Sequence, residues 1–150
     1  KENITHIDFD WKDNNNFESG CLKFLEAFKI LDESNKNLET TYFHCTTGED
    51  RTGALSALYQ KYSNKNLELN DLFKNEMCKK GYEAGEPHKP LDVVNNIRAG
   101  LTLTFLKMYY VIDLAQKNGN AIDSNICKYD FSKDQKFLTS NMSHSKIYNC

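Results

Sequence analysis

Arginine is nearly absent: of the 19 basic residues only Arg51 and Arg98 are arginines, and the rest are lysines. Together with asparagine runs such as Asn14-Asn15-Asn16, this composition fits coding in an AT-rich genome and needs no functional cause. The formal charge of -2 leaves no basic surplus, so neither nucleic acid nor a membrane surface is implied as an obligatory partner. Apolar runs long enough to span a bilayer are missing, and the first residues lack the pattern of a secretory signal. The chain starts on Lys1 rather than methionine, so a trimmed chain is expected. Cysteines are few and odd in number: Cys21, Cys45, Cys78, Cys127 and Cys150. None forms a C-x-x-C pair, which argues against a zinc site and against a disulfide framework. The spacing therefore predicts a reducing, cytoplasmic setting, with a secreted effector acting inside a host cell as the alternative. Asn3-Ile4-Thr5 and Asn141-Met142-Ser143 match the glycosylation triplet, a pattern too common by chance to carry weight.

What remains is an ordinary globular composition, 39% apolar and 27% charged over 150 residues, sized for one domain with a usable core. Ile7, Phe9 and Trp11 alternate with polar residues, as in a short strand, and residues 13–16 follow as a turn. Phe17, Cys21, Phe24, Leu25, Phe28 and Leu31 recur at helical spacing, predicting an amphipathic helix over about 17–33 with Cys21 on its apolar face. Thr41-Tyr42-Phe43 is β-prone and ends at His44. Leu55, Leu58, Tyr59 and Tyr62 predict a helix at about 51–63. A second is expected at about 70–81 with Asn70 as N-cap, then a loop from Gly81 to Pro90. A longer helix follows at about 92–117, with Gly119 just past its end. Residues 120–150 are weakly patterned. Strand, helix, strand, loop, helix in this order predicts an α/β fold with a parallel sheet flanked by helices.

Between the second strand and the helix after it stands His44-Cys45-Thr46-Thr47-Gly48-Glu49-Asp50-Arg51-Thr52-Gly53. Successive backbone N–H groups in such a loop converge on an oxyanion, and the helix N-terminus adds partial positive charge. Gly48 lets the backbone turn without a Cβ penalty. Arg51 offers a planar fork to two phosphate oxygens. The same field is expected to lower the pKa of Cys45 below the ordinary thiol value of roughly 8.5, giving a thiolate nucleophile at neutral pH. Thr52 is placed to donate to that sulfur, and His44 to brace the loop. Taken singly, Cys45 is a small buried hydrophobe and Arg51 a surface charge; the combination with His44, Gly48 and Thr52 is what makes chemistry the better explanation.

These residues resemble the protein tyrosine phosphatase superfamily, whose signature is His-Cys, five residues, Arg, then Ser or Thr. The resemblance implies a tyrosine-phosphatase-like α/β fold and a two-step hydrolysis of phosphate monoesters through a phosphocysteine on Cys45, without metal or cofactor. The phosphate would be held by Thr46, Thr47, Gly48, Glu49, Asp50 and Arg51. It also implies a carboxylic acid upstream that protonates the leaving oxygen and then activates water. Asp13, in Trp11-Lys12-Asp13, is the candidate, with Asp10 and Asp8 behind it. The family usually has proline where Lys12 stands, so this loop is less restricted in φ. A later water-positioning amide would fall near Asn95 or Asn96, where a surface asparagine is the plainer explanation.

Glu49 inside the loop would repel additional phosphates, which favours phosphoprotein substrates, phosphotyrosine or dual-specificity, over phosphoinositides. The Asp50-Arg51-Thr52-Gly53 ending is similar to lipid phosphatases and keeps the phosphoinositide alternative open, with Lys12, Lys79, Lys80 or Lys89 as outside charge. A catalytically inactive phosphate-binding module is the other alternative. A sulfurtransferase or an arsenate reductase fits less well. Cys78, Cys127 or Cys150 would be available to trap an oxidised Cys45. Only twelve residues precede Asp13, so the resemblance implies that the N-terminal part of the sheet lies in an upstream part of the same domain or in another chain.

Overall fold

Asn16 opens the first helix: its side chain accepts from the Ser19 N–H at 3.2 Å, satisfying one of the donors that a helix start leaves unpaired. The computed structural model describes residues 16–46, 48–86, 88–145 and 148–150. From Asn16 the chain runs through α1 (Phe17–Lys36), an irregular stretch to the Cys45 loop, and α2 (Asp50–Ser63). Next comes a continuous helical rod in three windings: α3 (Leu69–Leu72), a π-helical turn (Phe73–Met77) and a 3-10 turn (Cys78–Lys80). Gly81 ends it in the left-handed region at φ 89°. After a short 3-10 turn at Glu83–Gly85, α4 (Leu91–Ile97) leads through a π-helical turn (Arg98–Thr102) into α5 (Leu103–Asn118), which Gly119 caps at φ 67°. The tail holds 3-10 turns at Ser124–Lys128, Phe131–Lys133 and Asn141–Ser143, with α6 (Gln135–Leu138) between the last two.

The α/β expectation is overturned: no strand occurs among the described residues. Thr41-Tyr42-Phe43 is irregular, with Tyr42 84% exposed. A strand exists only through ladder bonds to a neighbour, and no described segment lies alongside to supply them. The other predicted strand, at Ile7, Phe9 and Trp11, lies outside the described residues, as do Asp8, Asp10, Lys12, Asp13 and Thr47. Asn70 is not an N-cap; Glu68 holds that place and Asn70 sits in the first turn.

The core lies where α1, α2 and α5 meet, around Phe24, Phe28, Leu58, Phe105, Leu106 and Ile112, all at 0–1% exposure. Each such side chain contributes roughly 1.5–3 kcal/mol of burial. Lys61 is buried among them, its ammonium donating to Asp113 Oδ1 at 2.8 Å, to Lys65 O at 2.8 Å and to Leu67 O at 3.1 Å. Three donors meet three acceptors, the condition under which a buried charge is tolerated. Gly53 permits the closest approach: a Cβ there would sit 2.5 Å from Glu76 O, so α2 meets the π-helical turn backbone to backbone. A smaller aromatic cluster of Tyr110, Phe131 and Phe137 anchors the tail, with Asp134 accepting from the Tyr110 and Tyr129 hydroxyls.

The cysteine expectation is also corrected. Cys21 pairs with Cys127, and Cys78 with Cys150. The first bond ties the tail to the apolar face of α1; the second ties the C-terminus to the end of the α3 rod. Neither Cys78, Cys127 nor Cys150 is therefore a thiol held ready to trap Cys45, which stays outside both disulfides.

Candidate active site

The predicted loop does end on a helix N-terminus, with α2 beginning at Asp50. Gly48 has φ 81° and no atom within 4 Å of where a Cβ would be. Its glycine is thus required by backbone conformation rather than by crowding. Cys45 is half-buried, and Thr52, one turn into α2, donates its hydroxyl to Cys45 Sγ at 3.3 Å. Arg51 reaches across the loop, donating from Nη2 to Thr46 Oγ1 at 2.9 Å. His44 Nδ1 lies 3.1 Å from the Cys45 carbonyl oxygen. Cys45, Thr46, Gly48, Arg51 and Thr52 are brought together; Thr47 and Asp13 lie outside the described residues.

The two acids of the loop face a segment that the sequence did not connect to it. Asp50 Oδ1 accepts from the Glu83 N–H at 2.8 Å. The Glu49 side chain lies against Gly81, where a Cβ would stand 3.1 Å from Glu49 Cγ. Burial pushes Asp50 up to about 6 from 3.8; the Glu83 N–H opposes the rise, the charges of Glu83 and Glu49 add to it, and Lys89 counters them. Asn95 and Asn96 are exposed on α4. Lys80 pairs with Glu76, and Lys89 with Glu83 at 3.1 Å and Glu86 at 3.7 Å, so neither is spare charge for extra phosphates.

The raised Asp50 has a consequence for stability. Its proton is held more tightly in the folded than in the unfolded chain, so its contribution is favourable below about pH 4 and is lost as pH rises through about 6. Asp50→Asn keeps an acceptor for the Glu83 N–H and removes the titration. The variant is expected to match or exceed wild-type stability at pH 7, with that difference gone at pH 4 or below, as read by urea unfolding at the two pH values.

Residues 16–65 match the model of the tyrosine phosphatase family. Over that stretch the chain is similar to the tyrosine phosphatase family. The match spans α1, the Cys45 loop and α2, about a third of the sequence, and stops before the α3 rod. No curated protein and no solved structure matches the chain. Among the described residues, no helix is long and apolar enough to cross a membrane.

Proposed function

We propose that this phosphatase-family chain hydrolyses phosphate monoesters with Cys45 as nucleophile, Arg51 as phosphate ligand and Thr52 as the group that eases sulfur out. The observation that carries this is the Thr52–Cys45 hydrogen bond at 3.3 Å, with Arg51 beside it on the first turn of α2. In the first step the Cys45 thiolate forms an S–P bond as the P–O bond to the alcohol breaks, and an acid protonates the leaving oxygen. In the second, water forms a new O–P bond, the S–P bond breaks and the thiolate returns, with the water proton passing to the same carboxylate. The loop amides and Arg51 stabilise the equatorial oxygens throughout.

Asp13 is the proposed acid, on its position upstream of the loop. Asp50 is a second candidate, favoured by a carboxyl raised to about 6 within the loop itself. The acidic flank of Glu49, Glu83 and Glu86 and the paired Lys80 and Lys89 support singly phosphorylated protein substrates, phosphotyrosine first, over phosphoinositides. Two disulfides support an oxidising compartment rather than the reducing one expected from cysteine spacing.

The test is a panel of phosphotyrosine peptides, phosphoserine peptides and phosphoinositides, with Asp13→Asn and Asp50→Asn alongside. Phosphotyrosine peptides are expected to turn over fastest. The variant lacking the acid should lose roughly 10²–10⁴-fold with poor leaving groups and little with good ones. Preference for a polyphosphorylated inositol lipid would refute the substrate assignment.

A further inference from the structure

Arg98 is one of two arginines and lies outside the Cys45 loop. It opens the π-helical turn between α4 and α5. Its Nη2 carries two hydrogens and serves two acceptors: Ala84 O at 3.4 Å and the side-chain oxygen of Asn149. Ala84 is 4% exposed and follows Glu83, whose N–H is bound to Asp50. Asn149 precedes Cys150, which is bonded to Cys78 at the end of the α3 rod. The links thus run without a gap from the disulfide through Asn149, Arg98, Ala84 and Glu83 to Asp50 in the Cys45 loop.

We propose that Arg98 is a positioning residue for the Cys45 loop: it holds residues 82–86 against Asp50, and the Cys78–Cys150 disulfide, by fixing Asn149, holds Arg98. Tyr82 and Ala84 anchor the start of the segment in the core, and Arg98 holds the Ala84 carbonyl beside the loop. The segment's 3-10 turn is three residues long; Tyr82 seats it in the core against Phe73 and Thr102, its N–H bonded to Met77 O at 3.1 Å, and Lys89 pairs with Glu83 and Glu86. An arginine suits the task because one planar nitrogen delivers both bonds in a fixed geometry, which a lysine ammonium does less rigidly. With the segment in place Asp50 is shielded from water and faces Glu83, Glu49 and Lys89. With it released, Asp50 is solvated and the α2 N-terminus loses its lateral support.

The proposal rests on the phosphatase reading for its effect on rate, but not for its structural readout. The experiment compares wild type with Arg98→Gln, Arg98→Lys and the Cys78→Ser/Cys150→Ser pair. It measures the Asp50 titration midpoint by carboxyl NMR and kcat/KM for an aryl phosphate across pH. Arg98→Gln and the cysteine pair are expected to lower the Asp50 midpoint by about one pH unit toward the ordinary carboxylate range. They should also reduce kcat/KM by about tenfold. Arg98→Lys should recover part of both. A folded Arg98→Gln with the wild-type midpoint overturns the proposal. Should that variant not fold, an unchanged midpoint in the cysteine pair overturns it equally. If wild type hydrolyses nothing, the phosphatase reading fails, while the Asp50 midpoint still decides the role of Arg98.

Discussion

Cys45→Ser is expected to abolish hydrolysis of aryl phosphates, with a fall of at least about 10⁴-fold in kcat, and to leave phosphate or vanadate affinity within a few-fold of wild type. The asymmetry follows from the loop. In the proposed mechanism anion binding falls to the α2 N-terminus, the backbone amides and the Arg51 fork, none of which the substitution touches. Bond making needs an ionised nucleophile, and a serine hydroxyl gives up its proton far less readily than a thiol does. Thr52 lies 3.3 Å from the sulfur and keeps a hydroxyl partner in the variant, so a collapsed loop is not the expected cause of the loss. Circular dichroism and vanadate binding on the same sample separate lost chemistry from lost structure. Wild-type turnover in Cys45→Ser discards the nucleophile assignment.

The second large effect is on stability. Replacing Cys21 and Cys127 by alanine is expected to cost about 4 kcal/mol and to lower Tm by roughly 8–16 °C. The bond closes a sequence separation of 106, the longer of the two loops, and removes correspondingly more freedom from the unfolded chain. Its partners are buried at 0% and 2%, Cys21 on the apolar face of α1 and Cys127 in the turn at Ser124–Lys128. The aromatic cluster beyond that turn still packs on Phe17 of α1 and Tyr110 of α5, so loss of the bond is expected to loosen the tail without releasing it from the helices. Thermal unfolding with and without a thiol reductant reads the effect on wild type, and the alanine pair reads it without exposing Cys45 to redox chemistry. A Tm within about 2 °C of wild type would show that the tail is held by packing alone.

The helices were largely legible because their signals are local. Phe17, Cys21, Phe24 and Phe28 line up at helical spacing, Asn16 caps the start, and Gly119 closes α5 in the left-handed conformation that its position implied. The π-helical turns at Phe73–Met77 and Arg98–Thr102 were not legible, since one extra residue per turn leaves the apolar pattern nearly unchanged over so short a stretch. The sheet was misjudged for the opposite reason. Thr41-Tyr42-Phe43 has the composition of a strand, but a strand is a relation between segments and composition reports only one of them.

The odd cysteine total hides an even one: setting aside Cys45, in the anion loop, leaves four. Those four are the two disulfides. Within the site, the proximity of Cys45, Gly48, Arg51 and Thr52 was legible because all lie within one loop and one helical turn. The covering of Asp50 by Glu83 was invisible, because 33 residues separate them and only the folded rod brings Gly81 and Glu83 beside the loop.

The most direct test is chemical trapping. Wild-type protein mixed with a phosphotyrosine peptide, quenched in acid within one turnover and digested, is expected to carry a single phosphoryl group on the sulfur of Cys45, labile to iodine and absent from Cys45→Ser. Hydrolysis that proceeds with no phosphoryl adduct on Cys45, or with the adduct on another residue, would contradict the mechanism.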